Sequence, residues 1–164
     1  MQEDKVVIRE VVKEDNRLLA KTIRNVFEES DSIPKQDCVY SDPATDHLFE
    51  WFRKPGSVLW VAVINDKIEG CCGIYPTEGL DKNCVELVKF YLGKEARGKG
   101  IGKKLMNKSI ESARQLGYEY LYLESFPQFA TAVGMYGKQG FKKLEHPLGN
   151  SGHSACSIWM IKEL

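Results

Sequence analysis

The sequence lacks several features that mark particular classes of protein. No run of 18 apolar residues is present, so we expect no membrane-spanning helix, and the charged start is not followed by the apolar stretch of a secretory signal. The 23 basic and 23 acidic residues cancel, which leaves no overall charge to attract nucleic acid or an acidic membrane. The length of 164 residues suits one domain over residues 1–164.

Metal sites and disulfides are also not indicated. The five cysteines are an odd number, and none forms a C-x-x-C pair. The three histidines have no metal-ligand spacing. We therefore expect reduced thiols, no metal and a cytoplasmic location.

The most informative segment is a glycine-rich loop, Arg97-Gly98-Lys99-Gly100-Ile101-Gly102. It stands between an apolar run (85–92) and a run with helical spacing (101–116). Glycines let the backbone approach a ligand closely, and a helix N-terminus attracts anions. Six basic residues and only one acidic residue lie between Lys94 and Lys108. The loop is therefore predicted to bind a diphosphate.

The loop resembles two nucleotide-binding motifs but matches neither of them. The segment 93–100 has P-loop spacing, but Gly100 stands where a hydroxyl should hold Mg²⁺. The dinucleotide fingerprint G-x-G-x-x-G is replaced by G-x-G-x-G. A nicotinamide or metal-assisted phosphate site is therefore disfavoured.

The remaining pattern, Q/R-x-x-G-x-G/A, is met by Arg97, Gly100 and Gly102 and resembles the acyl-CoA signature of the GNAT superfamily of N-acetyltransferases. Residues 86–92 are similar to that superfamily's fourth strand, and residues 132–141 to its A-x-x-x-Y-x-x-x-G-F segment. The resemblance implies a single-domain α/β GNAT-like fold, with a mixed twisted sheet of about seven strands flanked by helices. It also implies acetyl transfer from acetyl-CoA to an amine.

Hydrophobic periodicity and turn signals predict the element order β-α-α-β-β-β-α-β-α-β-β. The predicted strands cover residues 6–11, 57–64, 68–75, 83–92, 118–124, 141–144 and 155–162, and the predicted helices cover 13–29, 46–54, 101–116 and 129–138.

The resemblance assigns a cofactor-binding role to several residues. The pantetheine arm should pair with the backbone of Phe90, Tyr91 and Leu92, and the pyrophosphate should lie on the glycine loop. Many family members have Asn six residues before the tyrosine of the downstream segment. This chain has Ala130 there, so Ser125 or Glu124 would take that contact, or it would be absent. The predicted loop residues are Arg97, Gly98, Lys99, Gly100, Ile101, Gly102 and Lys103.

Two residues are predicted to be catalytic. Glu86 lies eleven residues before Arg97, where some family members place a general base, and an acid in an apolar strand is costly to bury. Tyr136 matches the family's tyrosine that protonates the departing thiolate. Direct attack in a ternary complex is expected, and Cys72 or Cys156 as an acetylated nucleophile is less expected. The alternative is an acyl-CoA-binding regulatory module without turnover.

The acceptor is expected to be a small-molecule or peptide amine, and its identity stays open, as does the choice between monomer and homodimer. His153 is interpreted as an exposed loop residue rather than a second proton shuttle. Trp51, Phe52 and Trp60 are predicted to be core residues rather than ligand contacts.

Overall fold

The computed structural model describes residues 3–164 and contains one mixed seven-stranded sheet flanked by helices, which confirms the predicted fold class. The strand order is β1-β2-β3-β4-β5-β7-β6. The strands are β1 (Val6–Glu10), β2 (Val58–Ile64), β3 (Lys67–Tyr75), β4 (Cys84–Leu92), β5 (Tyr120–Ser125), β6 (Lys142–Leu144) and β7 (Ile158–Glu163). The helices are α1 (Asn16–Phe27), α2 (Leu48–Trp51), α3 (Ile101–Gln115) and α4 (Ala130–Lys138).

Helices α1 and α3 bury their apolar faces on opposite sides of the sheet. Leu105 and Ile110 of α3 belong to a core that contains Cys72 of β3, whereas Ile23 of α1 packs in a second core with Cys71. Neighbouring residues of a strand point to opposite faces, so the two adjacent cysteines of β3 divide between the two cores. Helix α4 adds Tyr136 to the α3 side.

The two parallel strands stay together over only a short distance. Strands β4 and β5 pair from Cys84 opposite Tyr120 to Glu86 opposite Tyr122. No further residue pairs join them within residues 3–164, although β4 continues to Leu92 and β5 to Ser125. The sheet therefore opens just after Glu86.

A bulge in β4 lies beside this opening. Cys71 faces Tyr91 and Gly73 faces Val88 on the neighbouring strand, so β4 has one residue more than β3 between these pairs. Lys89 has a φ of 57°, in the left-handed region that a lysine rarely adopts. Its carbonyl oxygen accepts a hydrogen bond from the Cys71 thiol at 3.0 Å.

The bulge changes which face of the sheet the later side chains of β4 point to. Val85 and Leu87 face the α3 core, and an uninterrupted strand would place Lys89 there as well. Instead Phe90 packs against that core, and Lys89 lines the opening together with Glu86. The extra residue thus keeps a lysine out of an apolar core.

Several predicted boundaries were wrong for identifiable reasons. Asp15 accepts hydrogen bonds from Val12 N–H and from Arg9, which holds residues 13–15 in a 3₁₀ turn, and α1 begins only at Asn16. The predicted helix 46–54 contains only the four-residue α2. The last strand begins at Ile158, since the Ala155 and Cys156 amides bond to loop carbonyls.

No helix within residues 3–164 combines the length and the apolar character that crossing a bilayer requires.

Candidate functional site

The glycine loop ends in an uncapped helix. Gly98 and Gly100 have φ values of 73° and 77°, which side chains rarely adopt. Gly100 is the N-cap of α3 and provides no side-chain cap, and the first turn contains no acidic residue. The first backbone N–H groups of α3 therefore have no partner within the helix and are available to an anion.

Gly102 is required for a different reason. A Cβ at this position would lie 2.8 Å from Leu92 Cδ1 and 3.3 Å from the Phe90 ring. The absence of a side chain therefore lets the start of α3 pack directly on the end of β4, which brings the helix N-terminus close to the opening in the sheet.

A cleft of about 710 Å³, here called the large cleft, runs along this helix start. Its walls include the end of β4, the glycine loop and the start of α4. Of the predicted cofactor-binding residues, those that line it are Phe90, Tyr91, Leu92, Arg97, Gly98, Gly100, Ile101, Gly102 and Lys103.

The predicted cations of the loop are not equivalent. Arg97 lines the large cleft, but its guanidinium makes two hydrogen bonds to the Glu29 carboxylate, at 2.6 and 2.7 Å. It also donates to the Leu92 carbonyl at 2.8 Å. Lys99 pairs with Asp4 at 2.7 Å and lies outside the lining of the cleft. Because these pairs are exposed, each contributes little to stability.

A second, smaller space of about 50 Å³, here called the connecting cavity, lies where β4 and β5 separate. It shares Phe90 and Tyr91 with the large cleft, and it contains the predicted residues Ser125 and Tyr136. Ser125 therefore lies deeper than the loop residues.

Tyr136 is 6% exposed, and its ring packs 6.0 Å from Phe90 and 5.7 Å from Phe141, measured between ring centroids. Burial raises the pKa of its phenol. Its hydroxyl accordingly stays protonated and can act as a donor inside the connecting cavity.

A third space of about 210 Å³, here called the polar pocket, continues from the connecting cavity. The two share four residues: Glu86, Val88, Lys89 and His153. Trp51, Phe52 and Tyr75 form an aromatic wall. The prediction that Trp51 is a core residue was wrong, since it is 45% exposed, and its ring packs against Tyr75 at a tilt of 47° with the ring centroids 5.2 Å apart.

Glu86 lies at the junction of the connecting cavity and the polar pocket. It is only 4% exposed, and Thr77 Oγ1 donates a hydrogen bond to its carboxylate at 2.6 Å. Burial raises its pKa to about 7, although the Thr77 hydrogen bond acts in the opposite direction. Glu86 can therefore gain or lose a proton near neutral pH, as a general base must.

His153 faces the same junction from the segment before β7. Its Nε2 lies 3.0 Å from Asp42 Oδ2, and its side chain is 15% exposed, so the interpretation as an exposed loop residue was wrong. The segment is held on β5 because Ser151 donates to the Glu124 carboxylate and the Leu148 amide donates to the Tyr122 hydroxyl. The histidine and its partner are 111 residues apart, and no local pattern connects them.

The structure gives little support for a cysteine nucleophile or a metal ion at this site. Burial raises the pKa of the Cys72 and Cys156 thiols to about 12, which makes both poor nucleophiles. All five cysteines are free. Residues 3–164 contain no group of three His, Cys, Asp or Glu side chains that could hold a metal ion.

Sequence relatives and similar structures agree with this architecture. The acetyltransferase (GNAT) family model matches residues 20–141. YjgM of Escherichia coli (strain K12), an uncharacterized N-acetyltransferase, is 33% identical over 158 residues, which are 96% of this chain and 95% of that protein.

Among solved structures, a GNAT-family acetyltransferase from Staphylococcus aureus Mu50 superposes with a TM-score of 0.83 at 22% identity, covering 98% of this chain and 99% of that one. The protein yncA of Salmonella typhimurium, solved with its cofactor acetyl-CoA, gives a TM-score of 0.74 at 19% identity, with coverages of 98% and 94%. These likenesses concern the fold, whereas the family model covers most of the sequence. The chain belongs to the GNAT family of acetyltransferases.

Proposed function

We propose that this protein transfers an acetyl group from acetyl-CoA to a primary amine by direct attack in a ternary complex. The observation that carries the proposal is the position of Glu86, a buried carboxyl with a pKa of about 7 where the connecting cavity meets the polar pocket. Acetyl-CoA and the amine would reach this point from opposite sides.

Binding of acetyl-CoA is assigned to the large cleft. The uncapped amides at the start of α3 suit its pyrophosphate, and Lys103 adds a positive charge. Leu92 lines the large cleft, and Phe90 and Tyr91 line both the cleft and the connecting cavity, so this segment suits the pantetheine arm. The acetyl-CoA bound to the Salmonella typhimurium protein supports this choice of donor.

The chemistry begins with a proton transfer. An amine with a pKa near 10.4 is almost entirely protonated at pH 7, and its neutral form costs about 4.6 kcal/mol. Glu86 takes this proton, and the nitrogen attacks the thioester carbonyl carbon. The C–N bond forms, the C–S bond breaks, and the sulfur keeps its electron pair. The attacking nitrogen loses its second proton to solvent as the neutral amide forms, and Glu86 afterwards returns its proton to solvent. Tyr136 then donates its phenolic proton to the thiolate, and a proton from solvent restores it.

The test is release of free thiol from acetyl-CoA in the presence of a panel of amines, with calorimetric titration of CoA in parallel. We expect CoA to bind and at least one amine class to release thiol. Glu86→Gln should retain CoA binding and lose most of the turnover. Binding without thiol release from any amine would favour an acyl-CoA-binding regulatory module instead.

A further inference from the structure

We infer that the acceptor amine carries a carboxylate close to its nitrogen, as an α-amino acid does, and that Lys89 binds this carboxylate. The inference rests on the proposed function, because it concerns the amine that Glu86 would deprotonate.

Lys89 occupies the same junction as Glu86. It borders both the connecting cavity and the polar pocket, and the β4 bulge places it there instead of in the α3 core. A lysine with a positive φ is unusual, and such strain clusters at functional sites.

The charge of Lys89 has no protein partner. Five ion pairs are present among residues 3–164, and Lys89 takes part in none of them, so no carboxylate oxygen there lies within 4.0 Å of its ammonium. Lys89 is partly buried, and desolvation lowers its pKa, although the charges of Asp42 and Glu86 act in the opposite direction from beyond 4.0 Å. Such an arrangement is costly unless an anion completes it.

The neighbouring acids are already engaged. Asp42 accepts hydrogen bonds from His153 and from the Ala44 amide, and Glu86 accepts one from Thr77. An incoming carboxylate would supply the missing anion. A polyamine would instead bring a second cation next to Lys89.

The size and lining of the polar pocket suit an amino acid. Its volume of about 210 Å³ exceeds the roughly 150 Å³ of a cavity that holds benzene. An α-amino acid places nitrogen and carboxylate two bonds apart, so its amine can face Glu86 while its carboxylate faces Lys89. The aromatic wall of Trp51, Phe52 and Tyr75 then suits an apolar or aromatic side chain.

The first experiment uses the unmodified protein and matched acceptor pairs. L-Phenylalanine, L-leucine and L-methionine are compared with the amines that lack only the carboxylate, and spermidine is included as a polycation. Thiol release from acetyl-CoA should give a kcat/KM about 10- to 100-fold higher for each amino acid than for its amine, the range expected for one charge-assisted contact.

The outcomes separate the two proposals. If the carboxylate-free amines or spermidine react as well as the amino acids, the inference is overturned and the proposed function stands. If no amine of any class releases thiol, the proposed function is overturned and the inference falls with it.

The second experiment compares Lys89→Met with Lys142→Met, which changes an exposed lysine of another strand, β6. Lys89→Met should lower the ratio of kcat/KM for each amino acid to kcat/KM for its carboxylate-free amine about 10- to 100-fold. Lys89 also lowers the pKa of Glu86, so Lys89→Met should shift the pH profile for both acceptor types alike, and the ratio removes this common effect. Lys142→Met should leave the ratio unchanged. If Lys89→Met leaves the ratio unchanged as well, Lys89 acts only on Glu86 and the inference is wrong.

Discussion

The large cleft and the polar pocket lie on opposite sides of the connecting cavity and differ in the groups they offer a ligand. The large cleft presents backbone amides at the start of α3, and one of its two cations, Arg97, is bound to Glu29. The polar pocket presents partly or fully buried ionisable side chains, which are Glu86 and Lys89 at the junction and His153 hydrogen-bonded to Asp42.

This difference separates general from specific recognition. Backbone amides keep their chemistry when the surrounding side chains change, so they suit a donor that many related enzymes share. Buried charges interact strongly with one particular ligand and poorly with others. Substitutions at the polar pocket should therefore have much larger effects on turnover than substitutions at the large cleft, and the following predictions test this contrast from the largest expected effect to the smallest.

Glu86→Gln should lower kcat/KM about 10³-fold, because the amide cannot accept the proton of the ammonium. In the unmodified protein, log kcat/KM should rise with pH up to about 7 and then level off, since a base with its pKa raised to about 7 is active only when deprotonated. Thiol release measured between pH 5.5 and 9 gives both results. Glu111→Gln, on the exposed side of α3, is the matched control. An unchanged pH profile in Glu86→Gln would exclude Glu86 as the base.

Tyr136→Phe should lower kcat about 10²-fold, because the departing thiolate loses its proton donor. The dissociation constant of CoA should stay nearly constant, since the ring still packs between Phe90 and Phe141. Turnover and calorimetry together make this distinction. Tyr40→Phe, which removes an exposed hydroxyl bonded to Glu28, serves as the comparison. Weakened CoA binding with unchanged kcat would assign Tyr136 a structural role.

Gly102→Ala should reduce the free energy of unfolding by about 1–3 kcal/mol, because the new Cβ would press on Leu92 and Phe90. Gly137→Ala is the matched helical substitution. A Cβ there meets no atom within 4 Å, so this change should stabilise the protein by about 0.5–1 kcal/mol. Urea unfolding followed by circular dichroism measures both. Equal effects at the two positions would contradict the close approach of α3 to β4.

Glu29→Gln should tighten CoA binding by about 2- to 5-fold, because it removes a negative charge from the large cleft and releases Arg97. Lys99→Met should have a smaller effect, since Lys99 is paired with Asp4 outside the cleft. Calorimetric titration of CoA at low and high salt measures the affinities of both variants. A large loss of affinity in Lys99→Met would show that this lysine leaves Asp4 to reach the ligand.

The large cleft was largely predictable from the sequence. The glycine loop, the run of helical spacing after it and the apolar strand before it are contiguous, and each depends on local rules of backbone conformation. The fold class followed from the same segments and from the order of the other elements. Glu86 stood out because an acid in an apolar strand is unusual.

The polar pocket was only partly predictable from the sequence. Its aromatic wall combines Trp51 and Tyr75, which are distant in sequence, and the hydrogen bond from Thr77 depends on how the chain turns after β3. The pattern of β4 predicted a regular strand, whereas its bulge is visible only in the pairing with β3.

By itself, the sequence determined that a glycine loop joins a strand to the start of a helix, because backbone conformation is a local property, and the prediction of an anion site followed from the polarity of that helix. The tertiary structure alone decided that Lys89 faces the opening, that His153 meets Asp42, and that burial gives Glu86 a pKa of about 7. Those features depend on which distant segments pack together, and electrostatic environment is a property of that packing.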